Sequence, residues 1–173
     1  MRNLVVAVAA AMLAMPVFAA LYDQQQIDTI YENEASGLRY YKKGDFPKAF
    51  SILSETAALG MKNSQYILAF MFMKGEGVDK NVLFGLAWMG LATELGNDEW
   101  LENYEGLYDS LSDTHKSMVD DKIREYGEKF GAAAQGITCS MTSEVGSRAI
   151  RWKCRKGEGY YTLHDVELPL RAE

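Results

Sequence analysis

The chain has 173 residues, 48% of them apolar, with three prolines and a formal net charge of −6. That length and composition describe a globular chain of one domain plus an appendage, and they exclude a disordered one. The acidic balance, without a basic patch, excludes nucleic acid and anionic membrane surfaces as expected partners.

Residues 1–19 read as a secretory signal. Arg2 supplies the positive charge, Leu4 to Leu13 an apolar run, and Val17 and Ala19 small side chains for a peptidase, so cleavage is expected after Ala19. The alternative is an uncleaved anchor helix, but the run is shorter than the ~20 apolar residues that span a bilayer. No cysteine stands nearby to accept a lipid. The expected location is the periplasm or the exterior, with no membrane anchor left after cleavage.

From Tyr22 to about Lys43, Ile27, Ile30 and Tyr31 at helical spacing predict a lead-in helix that runs into a first repeat helix. A second helix is expected over 46–59, where Pro47 is tolerated in the first turn. A third covers 64–74, and its apolar run from Tyr66 to Met73 places it centrally. Gly75 and Gly77 end it, and a fourth helix follows to Leu95. The second and fourth helices end alike. Reading back from Gly60 gives Ala57, Ile52, Ala49 and Asp45; the same steps back from Gly96, about 36 residues on, give Thr93, Trp88, Gly85 and Asn81. Asp45 and Asn81 stand where a helix N-cap is wanted, and Gly60 and Gly96 where a left-handed C-terminal cap is wanted. Ala49 and Gly85 are small where paired helices approach, while Ile52 and Trp88 supply bulk.

Residues 98–110 carry Trp100, Leu101, Tyr104, Leu107 and Tyr108, with Leu111 just beyond, which predicts a helix with one broad apolar face. Ser112 is expected to cap another helix to about Phe130, with Met118, Val119, Ile123 and Tyr126 inward. Past Gly136 the period changes to two. Ile137, Cys139 and Met141 alternate with polar residues, as do Ile150, Trp152 and Cys154, so a hairpin is predicted with its turn at Gly146-Ser147. Tyr160 to His164 adds a third strand. In an oxidising compartment Cys139 and Cys154 read as a disulfide closing this tail, worth ~3 kcal/mol in the chain-entropy account, with Trp152 placed to pack on the bridge.

At these residues the chain resembles the Sel-one-like repeat family, relatives of the tetratricopeptide repeats. In the second unit Leu68-Ala69, Phe72, Gly75-Glu76-Gly77-Val78, Asn81, Trp88, Ala92-Thr93 and Gly96 fall at that family's spacings. In the first, Gly37, Tyr40, Ala49 and Leu53 fall at tetratricopeptide spacings. The resemblance implies a mostly α chain: a short α-solenoid of helical hairpins with a small C-terminal β-hairpin. Its domain would cover 20–130, with clear repeats at about 33–60 and 61–96 and a divergent capping hairpin at 97–130, followed by a β tail over 131–173. It also implies that the first helix of each hairpin lines a concave wall for a protein or peptide partner. The ligand-binding positions of tetratricopeptide relatives map onto Glu34, Leu38, Tyr41 and Lys42 in the first unit and onto Tyr66, Phe70 and Met73 in the second.

Catalytic constellations are not legible. His115 and His164 lack the spacing of a zinc site, and there is no nucleophile motif, so neither cofactor, metal nor enzymatic activity is expected. Lys74-Gly75-Glu76-Gly77 recurs as Lys156-Gly157-Glu158-Gly159, but neither has the spacing of a phosphate loop, and both read as turns. The acids Asp113, Asp120, Asp121 and Glu125 read as a solvated helix face. Met71 and Met73 read as core. A non-catalytic interaction module of the bacterial envelope is the resulting expectation. Because some exported members of the family are linked to the cell wall and to penicillin binding, a cell-wall enzyme or a binder of peptidoglycan or β-lactams is the alternative.

Overall fold

The computed structural model describes residues 19–143 and 150–168. It contains strand β1 (Ala19–Tyr22), helices α1 (Gln24–Lys42), α2 (Phe46–Ala58), α3 (Lys62–Lys74), α4 (Val82–Thr93), α5 (Asp98–Tyr108) and α6 (Asp113–Phe130), and strands β2 (Ile137–Ser143), β3 (Ile150–Lys156) and β4 (Gly159–Thr162). The chain is mostly helical with a small β tail, as its periodicity predicts. No helix among the described residues is long and apolar enough to cross a membrane. The residues before Ala19, the Gly146-Ser147 turn and the side chain of Trp152 lie outside the described residues.

Local chemistry sets the helix ends. Asp23 accepts from Gln26 N at 2.9 Å while Gln26 Oε1 accepts from Asp23 N at 3.0 Å, a reciprocal pair that starts α1. Asn81 caps α4 by accepting from Phe84 N at 3.0 Å. Asp45 makes no such bond to α2, contrary to expectation. Pro47 is the second helical residue and has no N–H to offer it. Gly60 and Gly96 do hold the left-handed conformation, at φ 87° and 84°.

α3 is the central helix. Phe72 meets Phe50 of α2 and Phe84 of α4 edge to face, with ring centroids 5.7 and 5.8 Å away. Leu68, Phe72, Trp88, Tyr126 and Phe130 share one fully buried cluster. Trp88 is buried completely, whereas Ile52, which stands at the same step in α2, is half-buried, so the two positions are not equivalent in cover. A side chain at Gly85 would meet the Ala69 carbonyl at 2.8 Å, which is why a small residue is needed there.

The last two helices depart from expectation. α5 buries no residue, and Leu101 and Leu107 remain exposed. α6 lies mainly along α4 and not along α5. Tyr126 and Phe130 bring their rings to 4.8 and 5.0 Å from Trp88, so α5 is covered on one side only: Trp100 and Tyr104 are half-buried against the helices before it, while Leu101 and Leu107 face out. Val119 and Tyr126 face inward as expected, but Met118 is exposed, at the rim of an apolar groove with Val82 and Leu86.

β2 and β3 pair antiparallel with Cys139 opposite Cys154 and Met141 opposite Trp152, and the disulfide is formed. β4 exists but does not extend this hairpin. It pairs with β1, setting Tyr161 opposite Ala20 and Tyr160 opposite Leu21. Tyr161 is drawn inward, its ring 5.9 Å from that of Tyr22 and its hydroxyl donating to Gly157 O at 2.7 Å.

Candidate functional site

α3 begins two residues before the expected start at 64, and its N-cap is Met61, which has no side-chain oxygen. Glu34 of α1 supplies the acceptor instead. Its buried carboxylate accepts from Ser64 N and Ser64 Oγ, each at 3.2 Å, and from Asn63 Nδ2 at 3.5 Å. Burial holds the Glu34 carboxyl above the usual carboxylate range, against the pull of those donors. Glu34 is thus committed to a structural bond inside the protein.

The other wall positions are more open. Leu38 is half-buried against the Ala49, Leu53 and Met71 cluster. Tyr41 stacks obliquely on Phe46 at 5.6 Å and donates to Glu76 Oε2 at 2.9 Å; burial and then that carboxylate push its hydroxyl up to about 12. Lys42 is exposed. Tyr66 and Phe70 are brought together, 5.1 Å apart and edge to face. Trp100 of α5 lies flat on Tyr66, with centroids 4.3 Å apart and planes within 8°, while Asn103 donates to the Tyr66 hydroxyl at 2.9 Å. Met73 is half-buried beside the main core.

Beside Glu34 a cleft of about 250 Å³ opens between the start of α3, the α4 to α5 turn and β3, with Lys62, Asn63, Trp100, Lys153 and Arg155 on its lining. Lys62 is buried, donates to Gln65 Oε1 at 2.8 Å and Leu91 O at 3.3 Å, and pairs with Glu94. Burial lowers its pKa, and Glu94 opposes that shift. Glu94 in turn accepts from Ala132 N at 2.6 Å, and Gln65 donates to Ala57 O and Phe130 O at 3.0 and 2.9 Å. These bonds tie the C-terminal ends of α2, α4 and α6 together. Sequence reasoning missed this network. A signal existed, since Lys62 and Gln65 stand at helical spacing from Ala69 and Phe72, on the buried stripe of α3.

His115 Nδ1 is hydrogen-bonded to Ser112 Oγ at 2.9 Å, and His164 lies edge-on to Phe130 at 6.0 Å. Among the described residues no group of three His, Cys, Asp or Glu side chains could hold a metal ion.

No family model matches the chain, and no curated protein matches it. Among solved structures, the chain is similar to a protective antigen present in uropathogenic Escherichia coli strains that displays an SLR fold, with a TM-score of 0.49 and 16% identity. The match covers 72% of this chain and 30% of the antigen, so the chain spans under a third of that protein's length. The helical class itself rests on the six helices described above.

Proposed function

We propose that the protein is an exported module of the bacterial envelope that holds a protein or peptide partner and carries no chemistry of its own. The observation behind this reading is the face of α1 and α3, where Leu38, Tyr41, Phe70 and Met73 are half-covered on helices packed rigidly into the core, with Lys42 exposed beside them. Aromatic side chains held this way present large contact area at low ordering cost, which suits binding anchors. The disulfide supports an oxidising location. Within the seven mapped positions, Glu34 acts through α3 and not on the partner, and Tyr66, held between Phe70 and Trp100, acts by positioning Phe70.

The test is affinity capture from an envelope extract with the mature chain and with a Tyr41→Ala, Phe70→Ala variant whose circular dichroism matches it. The variant is expected to lose most of the captured partner. Equal capture by a folded variant would remove the wall from the proposal. A second reading, a small-ligand or cell-wall site in the 250 Å³ cleft, is favoured by Glu34 and Lys62, both shifted by burial at its edge. Turnover of muropeptides or acylation by a labelled β-lactam would put that reading first.

A further inference from the structure

Past β4, residues 163–168 run without helix or strand between α2 and α6. Among the described residues their attachment is by side chains. His164 sits edge-on to Phe130, Val166 packs on the core cluster that holds Phe72, Trp88 and Tyr126, and Glu167 pairs with Lys122 at 3.0 Å. Leu168 lines an open cleft together with Pro47, Phe50 and Val78. No backbone to backbone hydrogen bond holds 163–168 among the described residues. Burial alternates, with His164 and Val166 half-buried and Leu163, Asp165 and Glu167 exposed, the pattern of an extended peptide read by every second residue.

The fit is incomplete. About 460 Å³ of open space remains along α2 beside Phe50, Ser54, Ala58 and Leu59, and Leu163 and Leu168 stay 50% and 58% exposed. The ion pair is partly solvated and shared, since Lys122 also meets Glu125 at 2.8 Å. The segment is thus held as a modest ligand is held.

We propose that the groove between α2 and α6 is a second peptide-binding site, separate from the α1 and α3 wall, which the chain fills in cis with Leu163 to Leu168. Its partner in trans is an extended peptide of the same pattern, a branched apolar residue in the place of Val166 followed by an acid opposite Lys122. Displacement of the tethered segment sets the affinity, because the site is available only to the extent that the segment is out.

The test uses the full chain and a labelled peptide of sequence Leu-His-Asp-Val-Glu-Leu, read by fluorescence anisotropy. Val166→Asp withdraws the apolar anchor, and Glu167→Lys sets like charge against Lys122. Each variant is expected to bind the peptide at least tenfold more tightly than the unaltered protein. Lys122→Glu added to Val166→Asp should reduce binding at least tenfold, and a peptide with Lys in place of its Glu should recover it. If Val166→Asp loses helical circular dichroism, Glu167→Lys alone decides. Binding that is absent or unchanged in the folded variants overturns the proposal. So does a doubled mass for the unaltered protein caused by exchange of the segment between copies.

Discussion

Two buried amines sit where helices end. Lys62 meets the Leu91 carbonyl and Glu94 at the end of α4, and Lys156 donates to Leu59 O at 3.1 Å and to Gln135 O at 2.7 Å, with the Tyr161 ring 3.8 Å away. Cations there answer the negative ends of the helix dipoles. Lys62 has a counter-charge, so removing it exposes the cost of burial. Glu94→Ala is expected to destabilise the protein by about 3 kcal/mol, because it strands a buried ammonium and the Ala132 N–H together. Adding Lys62→Met should restore a large part, and chemical denaturation of the two variants checks both statements.

Lys156 has no carboxylate partner among the described residues, and burial pulls it from 10.5 to about 8. The folded chain therefore disfavours its charged form. That destabilisation is full below about pH 8 and is relieved as the pH rises toward 10.5, because the unfolded chain keeps the extra proton across that window. On the order of 3 kcal/mol is at stake. The urea midpoint of the protein should rise between pH 8 and pH 10, and Lys156→Met should flatten the rise. A midpoint that falls equally in both proteins would show that Lys156 does not titrate in the folded state.

At the scale of elements, the hairpin of β2 and β3 is joined to the helices through Lys156, Gln135 and the Tyr31 hydroxyl, which accepts from Lys156 N at 2.9 Å. The disulfide joins the third of the seven residue pairs counted from the helix-bound end, and its cysteines pack on the Ile30, Met61 and Ala132 cluster without entering any of the helix-to-helix hydrogen bonds described above. Reduction is expected to raise protease sensitivity within 137–156 while helical circular dichroism stays unchanged. A parallel loss of helix would show that the tail supports the bundle.

Helices α1 to α4 were legible because their signals are local. Helical spacing, the glycines at 60 and 96 and the Asn81 cap each act within one turn of chain. What was not legible depends on distant partners. The exposure of Leu101 and Leu107 on α5 follows from α6 lying along α4, and β4 finds β1 from near the other end of the described chain. The same holds for the candidate site. The wall positions came from resemblance, yet Glu34 turned inward because α3 lacks a cap of its own, a need that only the packed pair reveals.

Seen as a whole molecule, the chain has one end where polar groups are tied and two flanks that remain partly uncovered. The tied end gathers Gln65, Glu94, Lys62, Gln135 and Lys156 over the C-terminal turns of α2, α4 and α6. One flank carries Tyr41 and Phe70. The other carries the groove that Leu163 to Leu168 fills. Tight fixation at one end with partly covered flanks suits the binding role proposed above, since anchors must stay in place while their surfaces exchange partners.

The ribbon of β1 and β4 sets an order of events. Each of α1 to α4 packs chiefly on its neighbour in sequence and can do so as soon as both have been made. β1 precedes them all, yet its partner is Gly159–Thr162, so it waits through the synthesis of every helix. The residues of β1 are thus made before every helix and paired after all of them, so their edge stays open until Gly159–Thr162 has been made.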